Sequence, residues 1–106
     1  TYAHHGVPDE EQAIGHRYRF DLALDLARCP ATETDDVAGT ANYSELCATI
    51  LEVCHRARRR TLERLATEIA RELLDRFPAA VRAELTVTKP MPPAPVIAEA
   101  LGVTVN

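Results

Sequence analysis

The sequence has no tryptophan, one methionine, two phenylalanines and a single lysine, Lys89, among its 106 residues. Its three cysteines are an odd number and contain no Cys-x-x-Cys pair, so neither a disulfide framework nor a structural zinc site is indicated. We expect the cysteines to be reduced and buried as small apolar side chains. No apolar run approaches the roughly 18 residues of a membrane helix and no signal peptide is evident, so we expect a cytoplasmic protein.

Positive charge is also scarce: 16 acidic residues face 12 basic ones, for a formal net charge of −4. This balance opposes general electrostatic binding to nucleic acid. The length allows only one hydrophobic core, and we expect a single domain over residues 1–106. Because the sequence begins at Thr1 and not at methionine, we expect its N-terminal strand to be truncated.

Two segments alternate between apolar and polar residues, which predicts half-buried strands. In residues 16–28, five apolar side chains fall on one face: Tyr18, Phe20, Leu22, Leu24 and Leu26. The second segment ends in phase with Lys89 and places on one face Val81, Ala83, Leu85 and Val87. Short strands are predicted at 2–4 and 101–105. Loops are predicted over 4–15, 29–42 and 90–95, the last because its prolines cannot join a ladder.

Two further segments have helical periodicity. Asn42 is the predicted N-cap of a helix over 43–57, with an apolar stripe of Leu46, Ile50, Cys54 and Ala57. Thr61 is the predicted N-cap of a second helix, which Pro78 ends, with a stripe of Leu62, Leu65, Ala66, Ile69, Leu73 and Leu74. The order of elements predicts an α+β fold, with two helices on one face of a four-stranded antiparallel sheet.

Several segments taken together resemble the dihydroneopterin aldolase family. They are His5-Gly6-Val7 with Glu11 and Ile14-Gly15; Thr34 to Ala38; Asn42-Tyr43; Leu62 to Ala66 with Ile69-Ala70; and Thr88-Lys89-Pro90 with Pro92 to Pro95. The resemblance implies the tunnelling fold, in which four subunits join their sheets into one barrel. It leaves a tetramer and an octamer of two stacked rings both open. It also implies active sites between neighbouring subunits, with no metal and no cofactor.

The activity that the resemblance implies is retro-aldol cleavage of 7,8-dihydroneopterin in tetrahydrofolate biosynthesis. The products are 6-hydroxymethyl-7,8-dihydropterin and glycolaldehyde, and 2′-epimerase activity can accompany the cleavage. Such a reaction needs a base for the 2′-hydroxyl, an electron sink and an acid for the product carbon. Because the pterin's own imine can be the sink, the protein supplies positioning and proton transfer.

The resemblance also implies roles for five residues. Lys89 matches the catalytic lysine, and Glu11 matches the loop glutamate that contacts the substrate and helps to set the proton-transfer network. Tyr43 matches a tyrosine contributed across the subunit interface. Glu63 matches the pterin anchor, whose two oxygens accept from the 2-amino group and N3, and Leu62 supplies a backbone contact. A structural explanation is open for each: a helix-end Glu63, a surface Lys89, a solvated Glu11, a Tyr43 packed on its own helix and a core Leu62.

The segment Arg56 to Arg60 departs from the family, whose members mainly have uncharged residues there. The arginines are explained by a solvated loop, because positive charges are stabilised at the C-terminal end of a helix, where the dipole is negative. Alternatively, the arginines receive a phosphorylated side chain, as in the related dihydroneopterin triphosphate 2′-epimerase. A catalytically silent assembly subunit is a third alternative. The histidines are not spaced like the zinc ligands of another branch of the fold, and we expect ordinary roles for His4, His5, His16 and His55.

Overall fold

The computed structural model describes residues 1–6, 9, 12, 15–27, 31–35, 42–90 and 100–105. Its elements are β1 (Tyr2–Ala3), β2 (His16–Arg17), β3 (Arg19–Leu26), α1 (Ala31–Thr34), α2 (Tyr43–Arg56), α3 (Leu62–Arg76), β4 (Ala80–Pro90) and β5 (Ala100–Val105). The predicted α+β class is confirmed. Two predicted loops are partly helical, since α1 lies in one and both Asp9 and Gln12 are helical in the other.

The strand predicted over 16–28 is divided at Tyr18, where the chain changes its hydrogen-bonding partner. Strand β2 pairs with β1, and the Tyr18 amide donates to the Thr1 carbonyl at 2.6 Å. From Arg19 onward the chain pairs with β4 instead, which gives an antiparallel sheet in the order β3-β4-β5. The described residues therefore form a three-stranded sheet and a two-stranded one where a single four-stranded sheet was predicted. Apolar and polar side chains alternate without a break through Tyr18, so the sequence pattern could not predict this change of partner strand.

Val81 is exposed, and its predicted place on the buried face of β4 is wrong. Asp25 pairs with Arg82 while Leu26 pairs with Ala80, so Val81 is the extra residue of a bulge. An extra residue on one strand shifts the alternation of side chains by one position, and Ala80 is buried instead. At the other end of β4, Pro90 pairs with Ala100, although a loop was predicted from residue 90. Residues 91–95 lie outside the described residues.

Both predicted helix N-caps are confirmed. The side chain of Asn42 accepts a hydrogen bond from the amide of Ser44 at 2.9 Å, and that of Thr61 accepts one from the amide of Arg64 at 3.2 Å. Helix α2 ends at Arg56, and Ala57, predicted on its apolar stripe, is exposed because the backbone there is extended. Helix α3 ends at Arg76, two residues before Pro78. No helix in the described part of the chain is long and apolar enough to cross a membrane.

The hydrophobic core lies between α2, α3 and the sheet. Its largest completely buried apolar side chains are Leu65, Ile69, Leu73, Leu85, Val53 and Val87. Cys54 is buried as predicted, but Cys47 is exposed because it lies at the edge of the buried stripe of α2. Leu74, predicted on the stripe of α3, is 37% exposed. Cys29 lies outside the described residues.

Charged side chains join the outer surfaces of α2 and α3. The Arg76 guanidinium donates to both carboxylate oxygens of Glu52 at 2.8 Å, and Arg56 and Arg76 both contact Glu72. The hydrogen bonds from Arg76 hold the pKa of Glu52 well below its usual range. The pairs reflect the antiparallel packing of the two helices, in which the end of α2 lies beside the second half of α3.

Arg59 is buried, so the predicted solvated loop is wrong for this residue. Its guanidinium donates to the Glu68 carboxylate at 2.6 and 2.9 Å and to the carbonyls of Val53 and Ala57 at 2.7 and 2.8 Å. Only 8% of the residue is exposed. The side chain thus supplies donors to carbonyls at the end of α2 and to a carboxylate of α3, and it fixes the connection between the helices.

We expect Arg59→Ala to lower the free energy of unfolding by about 3 kcal/mol, because buried acceptors lose their charged donor. Urea unfolding followed by circular dichroism measures the change. The matched control is Arg60→Ala, since Arg60 is exposed and pairs with the exposed Asp9. That variant should lose less than about 1 kcal/mol. Equal losses in the two variants would contradict a structural role for Arg59.

Candidate active site

Lys89 lies near the end of β4, opposite Leu101 of β5. It shares its side of the strand with the buried Leu85 and Val87, but it is itself only partly buried, at the margin of the core. Its Nζ lies 5.8 Å from the centroid of the Tyr18 ring. The ammonium group therefore rests on an aromatic face and stays within reach of solvent.

Glu63 and Leu62 begin helix α3, directly after the Thr61 cap. Leu62 is partly buried and packs against the core, whereas Glu63 is exposed. Within the described part of the chain, the Glu63 carboxylate makes no hydrogen bond and no ion pair. It lies in the first turn of the helix, where the dipole stabilises a negative charge. Among the described residues nothing is bonded to the two carboxylate oxygens of Glu63, so both can accept hydrogen bonds from a ligand.

Tyr43 is the first residue of α2 and is 81% exposed. The alternative that its ring packs on its own helix is therefore wrong within a single chain. Glu11, the fourth polar residue that the sequence singled out, lies outside the described residues.

One chain brings Lys89 and Glu63 to the same end of the molecule and places Tyr43 at the other. Helices α2 and α3 are antiparallel, and one cavity is lined by residues from the start of α2 and the end of α3: Glu45, Ala48, Thr49, Arg76 and Phe77. Tyr43 therefore lies about 20 Å from Glu63 by the rise of a helix of this length. Strand β4 then runs back along α3 and carries Lys89 toward the start of that helix. A single small ligand cannot contact both Tyr43 and Glu63 of one chain.

Behind Lys89 lies a buried polar cluster centred on His5. The imidazole Nδ1 accepts a hydrogen bond from the Arg59 amide at 2.9 Å, so Nε2 carries the proton and donates to the Cys54 carbonyl at 2.9 Å. The Tyr18 hydroxyl donates to the His5 carbonyl at 2.8 Å. Burial lowers the pKa of His5 from 6.5 to about 4, and the nearby positive charge of Arg59 acts in the same direction, although the bond to Cys54 opposes it. The ring is neutral at physiological pH.

The other arginines between the helices are mostly engaged with carboxylates. Arg56 contacts Glu52 and Glu72, and Arg60 contacts Asp9. Arg58 is exposed, and it has no carboxylate partner among the residues described. A cavity of about 270 Å³ beside the loop is lined by His4, His5, His55, Arg56 and Arg58, together with Ala3, Cys54 and Ala57. Across the described segments, no group of three or more His, Cys, Asp or Glu side chains could hold a metal ion.

Two residues beside the site have roles that the sequence pattern did not indicate. Tyr18 was predicted only as one of five core positions on a strand, and Arg59 as one of several solvated charges. The signal for Tyr18 is the pairing register of β3 with β4, which becomes available only once the two strands are known to be partners. The burial of Arg59 has no comparable signal, because its neighbours in sequence are also arginines.

Comparison with known proteins gives a consistent result. The model of the FolB family, described as dihydroneopterin aldolase, matches residues 1–106. A dihydroneopterin aldolase of Methylorubrum extorquens is 35% identical over 97 residues, which cover 92% of this chain and 75% of that protein. One of Bacillus subtilis is 35% identical over 94 residues, 89% of this chain and 78% of the relative. The crystal structure of the E. coli dihydroneopterin aldolase in complex with neopterin superposes with a TM-score of 0.86 and 31% identity, covering 98% and 88% of the two chains.

The buried neutral His5 makes the stability of the fold sensitive to mild acid. Its pKa is lower in the folded chain than in the unfolded one, so stability is complete above about pH 6.5 and is lost as the pH falls toward 4. Between pH 7.5 and 5 we expect the free energy of unfolding to fall by about 2 kcal/mol more in the wild type than in His5→Gln. Urea titrations at the two pH values measure the difference.

The control for that comparison is His55→Gln, because His55 is exposed. This variant should keep the pH dependence of the wild type. The interpretation fails if His5→Gln keeps it too.

Proposed function

The chain belongs to the dihydroneopterin aldolase family, and from this premise we propose which of its residues carry the retro-aldol reaction. The protein is a lyase that acts on dihydroneopterin, in folate biosynthesis. The observation that carries this function is the family match over the whole chain, together with its likeness to the E. coli enzyme in complex with neopterin. The reaction releases glycolaldehyde and leaves 6-hydroxymethyl-7,8-dihydropterin.

In the proposed site, Glu63 anchors the pterin ring. Its two carboxylate oxygens accept hydrogen bonds from the 2-amino group and N3, which form a matching pair of donors. The exposed position of Glu63 and its place in the first turn of α3 support this role, since the side chain is open to a ligand and lies at the positive end of the helix dipole. The backbone of Leu62 adds a contact to the ring while its side chain holds the start of α3 against the core.

Lys89 and Glu11 handle the protons. Loss of the proton from the 2′-hydroxyl lets the C1′–C2′ bond break, and C2′ leaves as the aldehyde carbon of glycolaldehyde. The bonding electrons pass into the pterin imine, and C1′ then takes a proton to become the hydroxymethyl carbon. We assign the proton transfer at the reacting carbons to Lys89, with Glu11 in the same network. The support for Lys89 is its place at the margin of the core, where the residue is partly buried and its Nζ lies over the Tyr18 ring.

Tyr43 reaches the substrate from a neighbouring subunit, and we propose that the enzyme is a homo-oligomer, a tetramer or an octamer. The distance of Tyr43 from Glu63 within one chain supports this. Among the described strands, the order β3-β4-β5 leaves an outer edge on β3 and on β5, and such edges pair readily with further strands. The radius of gyration is 15.4 Å, whereas a compact chain of this length has about 13 Å. An extended subunit with open sheet edges suits a barrel built from several copies.

The loop between α2 and α3 suits dihydroneopterin with an unphosphorylated side chain better than dihydroneopterin triphosphate. A triphosphate needs several unengaged cations, and Arg56, Arg59 and Arg60 already contact carboxylates. These pairs favour the aldolase over the triphosphate epimerase.

We propose that the enzyme works in the cytoplasm. Cys47 and Cys54 are free thiols, and one of them is exposed, which suits a reducing compartment.

Lys89→Ala should lower turnover by at least about a thousandfold and leave pterin binding within a few-fold, because Lys89 acts on the side chain and not on the ring. Glu63→Gln should weaken neopterin binding by about tenfold or more, because an amide nitrogen cannot accept from the paired donors. Glycolaldehyde release and calorimetric titration measure the two effects. The matched control is Glu45→Gln, also exposed in the first turn of its helix, which should change neither. Full turnover in Lys89→Ala would exclude the mechanism.

Mixing two variants that each lack one group of the proposed site, the Lys89 amine or the Tyr43 hydroxyl, tests the shared site. When Lys89→Ala and Tyr43→Phe subunits are co-expressed, a site that takes Tyr43 from one and Lys89 from the other is intact. Random assembly should then restore roughly a quarter of wild-type turnover. Co-expression of Lys89→Ala with Glu63→Gln is the control, assayed at a substrate concentration well below the wild-type KM so that the weakened binding lowers turnover, because one subunit supplies both of those residues and no intact site forms. Rescue in both mixtures, or in neither, contradicts the assignment of Tyr43 to the neighbouring subunit.

A further inference from the structure

We propose that Tyr18 is a positioning residue for Lys89: its ring, held rigidly by the His5 cluster, is the platform that fixes the only lysine ammonium of the chain at the reacting side of the pterin. This inference rests on the proposed catalytic role of Lys89. The observation behind it is the placement of Lys89 Nζ 5.8 Å from the centroid of the Tyr18 ring.

The strand register explains why these two side chains meet. Arg19 pairs with Thr88 and Phe20 with Val87, so continuing the ladder by one step sets Tyr18 opposite Lys89. Opposite residues of antiparallel strands have Cβ atoms about 5 Å apart on the same face. The contact is therefore built into the pairing of β3 with β4.

The Tyr18 ring cannot move freely beneath the lysine. Only 3% of the residue is exposed, and its hydroxyl donates to the His5 carbonyl at 2.8 Å. Its ring packs edge to face against the His5 ring, with the two ring centroids 5.4 Å apart. Its amide and carbonyl both bond to Thr1, at 2.6 and 2.9 Å. Tyr18 is thus held at its hydroxyl, its ring and its backbone.

A lysine side chain has four flexible carbon–carbon bonds, and holding it in one place costs conformational entropy. An aromatic face within about 6 Å attracts an ammonium group through its quadrupole, more strongly where water is partly excluded. Tyr18 therefore limits where Nζ can lie before the substrate arrives. Preorganisation of this kind raises the rate of the chemical step more than it raises the affinity for the ring.

The single lysine makes a direct measurement possible. In protein labelled with 13C only in lysine, the ε-methylene protons of Lys89 give one signal, and a ring face beside them shifts it upfield. We expect the upfield shift in the folded wild type, its loss on unfolding in urea, its retention in Tyr18→Phe and its loss in Tyr18→Leu. Tyr18→Phe keeps the ring and removes the hydroxyl, so it is the matched control.

Kinetics test whether the platform matters for turnover. Tyr18→Leu should lower kcat by roughly three- to thirtyfold with KM within about twofold, and Tyr18→Phe should keep most of kcat. A Lys89 signal at the free-lysine position in the folded wild type overturns the proposal, and that measurement needs no variant. Equal loss of kcat in the two variants also overturns it. Full turnover in Lys89→Ala would remove the proposed role of Lys89 while leaving the ring-current result intact, so the two failures are distinguishable.

Discussion

The imidazole of His5 joins three parts of the chain that are far apart in sequence. It accepts from the amide of Arg59, donates to the carbonyl of Cys54 at the end of α2, and packs edge to face against Tyr18. His5, Cys54 and Tyr18 are buried, so the polar atoms of this cluster find their hydrogen-bond partners mainly inside the protein. One buried neutral ring thereby fixes the N-terminal segment, the helix connection and the start of the sheet relative to one another.

Both halves of the proposed site depend on that cluster. The amide of Arg59 donates to His5 and its guanidinium donates to Glu68, so Arg59 holds the connection between the two helices. Helix α3 starts from this connection, and Glu63 lies in its first turn. Tyr18 donates its hydroxyl to the His5 carbonyl, and its ring lies beneath the Lys89 ammonium. The proposed pterin anchor, Glu63, and the proposed catalytic amine, Lys89, are therefore both supported by this buried cluster, although they lie 26 positions apart in the sequence. Rigid mounting of this kind is what positioning a substrate between two groups requires.

The same architecture gives a physical reason for the proposed assembly of several subunits. An antiparallel helix pair separates the starts of its two helices by the length of a helix, so Tyr43 and Glu63 cannot meet within one chain. The three-stranded sheet formed by the described strands is also open, and its outer strands β3 and β5 can pair with strands of other subunits. Assembly through the sheet edges would solve both problems together, since it closes the ladder and brings the start of a neighbour's α2 toward Lys89.

Periodicity, caps and motif order were sufficient for the α+β class, for both long helices and for the family, because these are local properties. The exposed Val81 and the interrupted strand at Tyr18 were not predictable, since a bulge and a change of partner depend on which backbone lies alongside. The sequence by itself determined the family, and the resemblance to that family led to the proposed roles of Lys89 and Glu63. Only the tertiary structure decided that Lys89 rests on Tyr18, that Arg59 is buried and that Tyr43 faces outward. Contacts between distant residues follow from strand register and helix packing, and local sequence does not encode either of these alone.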